Sequence, residues 1–95
     1  MMEILVDDDK MLLKVEWYEG LPVLHLEVRK WSHNLLKKYF FPQWIKVQDY
    51  LRDCGAHVVL AVVPSEEEKI IKFHAIMGMH TAVEQDGFVV SRRWL

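Results

Sequence analysis

The stretch His57-Val-Val-Leu-Ala-Val-Val-Pro-Ser-Glu-Glu-Glu-Lys-Ile-Ile-Lys-Phe-His-Ala-Ile-Met-Gly-Met79 decides how the chain is read. Val58 to Val63 is an apolar, β-branched run too short for a helix, and it reads as a strand buried on both faces. Pro64 ends it. Ser65 offers a hydroxyl to cap the amides that follow, and Glu66, Glu67 and Glu68 place negative charge at the positive end of a helix dipole. Ser65 and Glu68 stand at capping-box spacing. Ile70, Ile71, Phe73 and Met77 give the helix an apolar face, and Gly78 can close it in a left-handed conformation. Met79 to Leu95 then reads as a hairpin.

Working back toward the N-terminus, Met2 to Val6 is a strand, and Asp7-Asp8-Asp9 a polar turn. Met11 to Tyr18 resumes strand patterning, with Leu13, Val15 and Trp17 on one face. After Glu19-Gly20, Pro22 opens a third strand in which Val23, His25 and Glu27 alternate against Leu24, Leu26 and Val28. Three strands so close in sequence form an antiparallel meander. From Trp31 the period becomes helical. Ser32 or Asn34 can cap, Leu35, Leu36, Tyr39 and Phe40 recur at helical spacing, and Trp44, Val47, Leu51 and Cys54 continue the stripe to a stop at Gly55. Pro42 either kinks one long helix or opens a second one. The strand after this helical region is expected to lie parallel to the strand before it. The fold class is α+β with an α/β-like core: meander, long helix, parallel buried strand, helix, C-terminal hairpin.

Ninety-five residues, 52% of them apolar and four of them tryptophan, make a single domain (1–95) with one modest core. The net charge is −2, and basic residues are scattered through the chain. A phosphate-binding surface carries a basic excess, so nucleic acid is not an expected partner. The one cysteine, Cys54, excludes a disulfide framework and reads as a core thiol in a reducing setting. The acidic N-terminus lacks a signal core and no apolar run is long enough to span a membrane, so a cytoplasmic location is expected. No histidine pair stands at i, i+4 with a carboxylate, so no metal is expected.

The segment Val62-Val-Pro-Ser-Glu-Glu-Glu-Lys-Ile-Ile-Lys-Phe-His-Ala-Ile-Met-Gly-Met79 resembles the late motif of the GCN5-related N-acetyltransferases, the GNAT family: a strand running into a helix with an aromatic near its end, then Gly-Phe. The order from Leu24 to Val63 is similar to the family's core, and small GNAT-like proteins encoded by bacteriophages are the nearest likeness. The resemblance covers residues 22–94, and it implies a truncated domain lacking the family's opening strand and first two helices. It also implies acetyl-CoA as the cofactor, cradled by a glycine-bearing loop after the strand equivalent to Val23–Arg29. Here Arg29-Lys-Trp-Ser-His-Asn-Leu-Leu-Lys-Lys38 has no glycine. Cofactor contacts are left to Lys30, Lys37 and Lys38 as charges and to the backbone at Val28 and Arg29 as amide donors. Glu67 stands where the family often has Asn, Met79 where it has Phe, and His74 where it has the tyrosine that protonates the departing thiolate.

The residues imply two functions. Glu27 and His25 share a strand face and can serve as base, with His74 as acid, in a small acetyl-CoA-dependent N-acetyltransferase acting on an amine. The bland alternatives are a solvated sheet face for the first two and a partly exposed helix histidine for His74. Trp31, Tyr39, Phe41 and Trp44 crowd one helical region, and they point to a partner protein or to self-association, unless they merely cover the sheet. The missing glycines favour the second function: a degenerate, phage-type GNAT-like domain that binds a host or virion protein.

Overall fold

A computed structural model of the chain describes all residues except His33 and Leu35, together with the side chain of Leu36. The apolar spacing expected at Leu35 and at the Leu36 side chain therefore lies outside the described residues. In chain order the elements are β1 (Met2–Asp7), β2 (Met11–Tyr18), β3 (Leu21–Val28), a π-helical turn (Leu36–Phe40), α1 (Phe41–Asp53), β4 (Val58–Pro64), α2 (Glu68–Ile76), β5 (His80–Gln85) and β6 (Phe88–Trp94).

The six strands form one sheet in the order β1-β2-β3-β4-β6-β5. β1, β2 and β3 are the expected antiparallel meander. β4 lies parallel to β3, and β6 pairs antiparallel with both β4 and β5. Both tight hairpins, at Glu19-Gly20 and Asp86-Gly87, put two consecutive residues at positive φ. That is the twist a two-residue hairpin needs between right-twisted strands.

Pro42 falls in the first turn of α1, where its missing N–H breaks no bond, and the chain enters α1 directly from the π-helical turn. α1 and α2 close alike. After α1, Gly55 (φ +89) donates to Arg52 O and Ala56 to Leu51 O; after α2, Gly78 (φ +83) donates to Ala75 O and Met79 to His74 O. This pair of bonds satisfies two carbonyls at each helix end and needs a left-handed residue, which glycine supplies.

The start of α2 departs from the expectation. Ser65 does not cap it. Its amide is drawn to Gly87 O (2.8 Å), Glu67 closes a turn onto Pro64 O (3.0 Å), and the helix begins at Glu68 with no side-chain cap. Pairing of β4 with the β5–β6 hairpin thus overrides a local capping preference.

Residues opposite each other on a ladder share a face of the sheet. On one face lie Met11, Leu13, Val15, Leu24, Val59 and Ala61, all buried, and both helices pack there. Phe40 from the π-helical turn meets Phe73 of α2 with ring centroids 4.7 Å apart, and Trp44 of α1 donates its indole N–H to Met77 O at 3.0 Å. The other face has no helix over it among the described residues. β4 is accordingly buried on one face, not two: Val59 and Ala61 are covered while Val62 is exposed. An apolar run identifies a strand but does not reveal how many layers cover it. Cys54 is exposed where α1 ends and is no core thiol; the chain re-enters the core at Ala56, after the left-handed Gly55.

Candidate functional site

β3 and β4 are the only parallel neighbours in the described sheet, and they are paired only through Val23–Leu60 and Leu24–Ala61. Beyond those positions the strands separate. A cleft opens between His25–Val28 and Val62–Pro64, and it is reached from both faces of the sheet. On the bare face it is lined by Leu12, Lys14, His25, Glu27 and Val62; on the helix face by Leu26, Val28, Trp31, Val63, Glu67 and Ile70.

His25 and Glu27 do share this cleft, as the alternation of β3 requires. His25 also has a partner that the sequence did not reveal. Its Nε2 lies 3.0 Å from Glu16 Oε1 on β2. Hydrogen bonds from Tyr18 and then His25 hold the Glu16 carboxyl below the usual carboxylate range, so it is ionised at neutral pH. Glu27 is exposed, with Arg29 Nε 3.8 Å away.

His74 is not the partly exposed helix histidine of the sequence reading. It is 1% exposed, neither ring nitrogen has a hydrogen-bond partner, and it lines neither mouth of the cleft. Burial alone pushes its pKa down to about 4, so the ring is neutral at physiological pH. A proton donor needs a proton and a path to the leaving group. His74 has neither here. Its place in α2, between Phe73 and the Met77 turn, makes it part of the core.

The cations proposed for phosphate are partly committed elsewhere. Arg29 bonds Asp7 at 2.8 Å and Lys30 bonds Asp9 at 3.0 Å, tying the end of β3 to the acidic β1–β2 turn. The Arg29 and Lys30 amides both donate to Lys10 O (2.8 and 3.2 Å), so neither is free to polarise a carbonyl. Val28 packs against the core. Lys37 and Lys38 are exposed on the π-helical turn. Trp31 stands in the helix-face mouth, edge-on to Phe73 (5.7 Å) and 4.4 Å from Lys69 Nζ. The described residues therefore do not fit a cradled pyrophosphate as the family builds one.

The expected aromatic interface also dissolves into packing. Trp44 is buried, Phe41 and Tyr39 are half-buried against the core, and Tyr39 gives its hydroxyl to Asp8 under the Lys10 ammonium. Only Trp31 keeps an exposed edge. These rings cover the sheet. The opposite face carries exposed apolar side chains of its own: Ile4, Tyr18, Val62, Phe88 and Trp94, from four strands of the meander, centre and hairpin. Helical periodicity singled out rings of the helix-covered layer; the exposure of the other face is signalled by apolar residues on both parities of β4 and β6 with too few helices to cover both.

No protein-family model matches the sequence, and no curated protein matches it either. Among solved structures, the chain is similar to an acetyltransferase of the GNAT family from Streptococcus pneumoniae, with a TM-score of 0.64 at 8% identity. The fold is GNAT-like. The match takes in 90% of this chain but only 60% of that one, so the chain spans about three-fifths of its structural neighbour. No helix here is long and apolar enough to cross a membrane, and no group of three or more potential metal ligands gathers among the described residues.

Proposed function

We propose that this chain is a GNAT-like module that works by binding protein through the sheet face its two helices leave bare. One observation carries the reading: both helices lie on one face, while the other presents large apolar side chains (Phe88 47% exposed, Trp94 66%) in a folded domain. Exposed apolar side chains of this size, interspersed with Lys14, His25, Glu27 and Arg92 on the same face, favour a surface that meets another protein. The pairing of Arg29 and Lys30 with Asp7 and Asp9, and the absence of glycine from residues 29–38, argue in the same direction. The resemblance to small bacteriophage-encoded GNAT-like proteins supports a virion or host protein as partner, and the exposed apolar side chains of the bare face support self-association equally.

A second reading is favoured by the cleft itself. His25, 3.0 Å from Glu16, stands beside Glu27 at the rim of a gap between two parallel strands, an arrangement suited to taking a proton from an amine. Calorimetric titration with acetyl-CoA and with CoA separates the two readings. The binding module gives no heat up to millimolar cofactor. Micromolar binding that is lost in Lys37→Glu would overturn it and put N-acetyl transfer first.

A further inference from the structure

Resting on the protein-binding reading, we infer that the protein bound at the bare face is a second copy of this chain, packed sheet on sheet about a two-fold axis parallel to the strands. The ladder registers carry the argument. Glu16 is opposite Val23, Val23 opposite Leu60, and Leu60 opposite Arg92, so these four lie on one row across the bare face. β2 and β6 are the second strands from either edge, and the middle of the sheet falls between β3 and β4. A two-fold axis along the strands at that midline exchanges β2 with β6 and β3 with β4. It sets Glu16 of each copy over Arg92 of the other, twice, with Val23 over Leu60 between them.

Two of the other rows add apolar contacts. Tyr18 is opposite Leu21 and Val58 opposite Trp94, so the same axis brings Tyr18 over Trp94; on the far side it brings Leu12 over Phe88. Charge meets opposite charge on the central row, while on the row between it and Leu12 the axis brings Lys14 over Val90 and His25 over Val62. The alternative in-plane axis, perpendicular to the strands on this row, stacks Glu16 on Glu16 and Arg92 on Arg92, which like-charge repulsion disfavours. Aligned sheet packing holds two such faces about 10 Å apart at roughly 30°, so the central row keeps its pairing best. Glu16 is ionised for this purpose, and Arg92 is exposed with its guanidinium 5.2 Å from the Trp94 ring.

The area suffices. Six strands at a spacing of about 4.8 Å and a common length of about 20 Å give roughly 600 Å² per copy, or about 1,200 Å² in all. A specific interface needs about 1,000 Å². Two copies so joined make an isologous dimer, each face self-complementary.

Sedimentation equilibrium on the whole chain tests this. The wild type, 11.3 kDa as a monomer, is expected to sediment at twice that mass. Glu16→Arg and Arg92→Glu should each raise the dimer Kd by about tenfold or more. The double variant Glu16→Arg/Arg92→Glu should bring it back to within about threefold of wild type. Val62→Lys, at the centre of the face and exposed in the monomer, should abolish dimerisation while leaving the thermal midpoint of the monomer unchanged. A wild type that stays monomeric at several hundred micromolar overturns the inference, as does a dimer indifferent to all four changes. Either result leaves the protein-binding reading standing. That reading falls to tight acetyl-CoA binding, a separate measurement.

Discussion

Acidification should destabilise this fold through His74, and the size of the effect follows from its burial. The ring is 1% exposed and both nitrogens lack partners, so its charged form is strongly penalised in the folded state. The folded pKa is about 4 against an ordinary value of 6.5. Above pH 6.5 the ring is neutral whether the chain is folded or not, and it costs nothing through protonation. As pH falls from 6.5 towards 4, the unfolded chain takes up a proton that the folded chain refuses, so stability declines across that window. Each decade of difference is worth about 1.4 kcal/mol, which puts the full loss at about 3 kcal/mol and the loss by pH 5 at about 2 kcal/mol. A domain of this size holds roughly 5–15 kcal/mol in total. Urea unfolding of wild type and His74→Leu at pH 7.5 and pH 5 measures it. The carboxylates whose folded pKa is lowered, Glu3, Asp9 and Glu16, lose stability at lower pH in both proteins and cancel in the comparison. At pH 7.5 the leucine variant should be about as stable as wild type or more so, since it removes two unpartnered polar atoms. Between the two pH values wild type should lose about 2 kcal/mol more than the variant. Equal losses would refute the burial argument, and a large loss at pH 7.5 would show that the ring nitrogens are partnered after all.

Other outcomes follow from the same geometry. Gly78→Ala should destabilise by about 1–2 kcal/mol, because the residue sits at φ +83 and a Cβ there would meet the Arg93 guanidinium at 2.1 Å; a thermal melt reads this, and an unchanged midpoint contradicts the left-handed cap. Phe73→Ala should cost about 3–5 kcal/mol in urea unfolding, as it empties the contact between α2 and Phe40. Cys54 should react with a thiol reagent in the native protein at close to the rate of the unfolded chain, since it is exposed; protection in the native state would return it to the core.

The local elements of this protein were legible in the chain. Period-two alternation marked β2 and β3, glycine at 55 and 78 marked two helix ends, and Pro64 bounded β4, because each depends on steric and hydrogen-bonding rules acting over a few residues. The parallel placement of β4 beside β3 was legible too, since a helix between two strands leaves few other connections. What only the tertiary structure decided was how the elements are layered. Ser65 has the chemistry of a cap, but its amide is taken by Gly87, twenty-two residues away in the chain and adjacent in the sheet. His74 keeps its polar ring buried on α2, and nothing in one helix's sequence says which of its sides neighbours will cover. Glu16 meets His25 through the β2–β3 register, and Arg92 joins their side of the sheet through β6. Apolar periodicity reports that a residue prefers to leave water. Which surface removes it from water is a property of the assembled layers, and here the helices of the chain cover one face of the sheet and leave the other exposed.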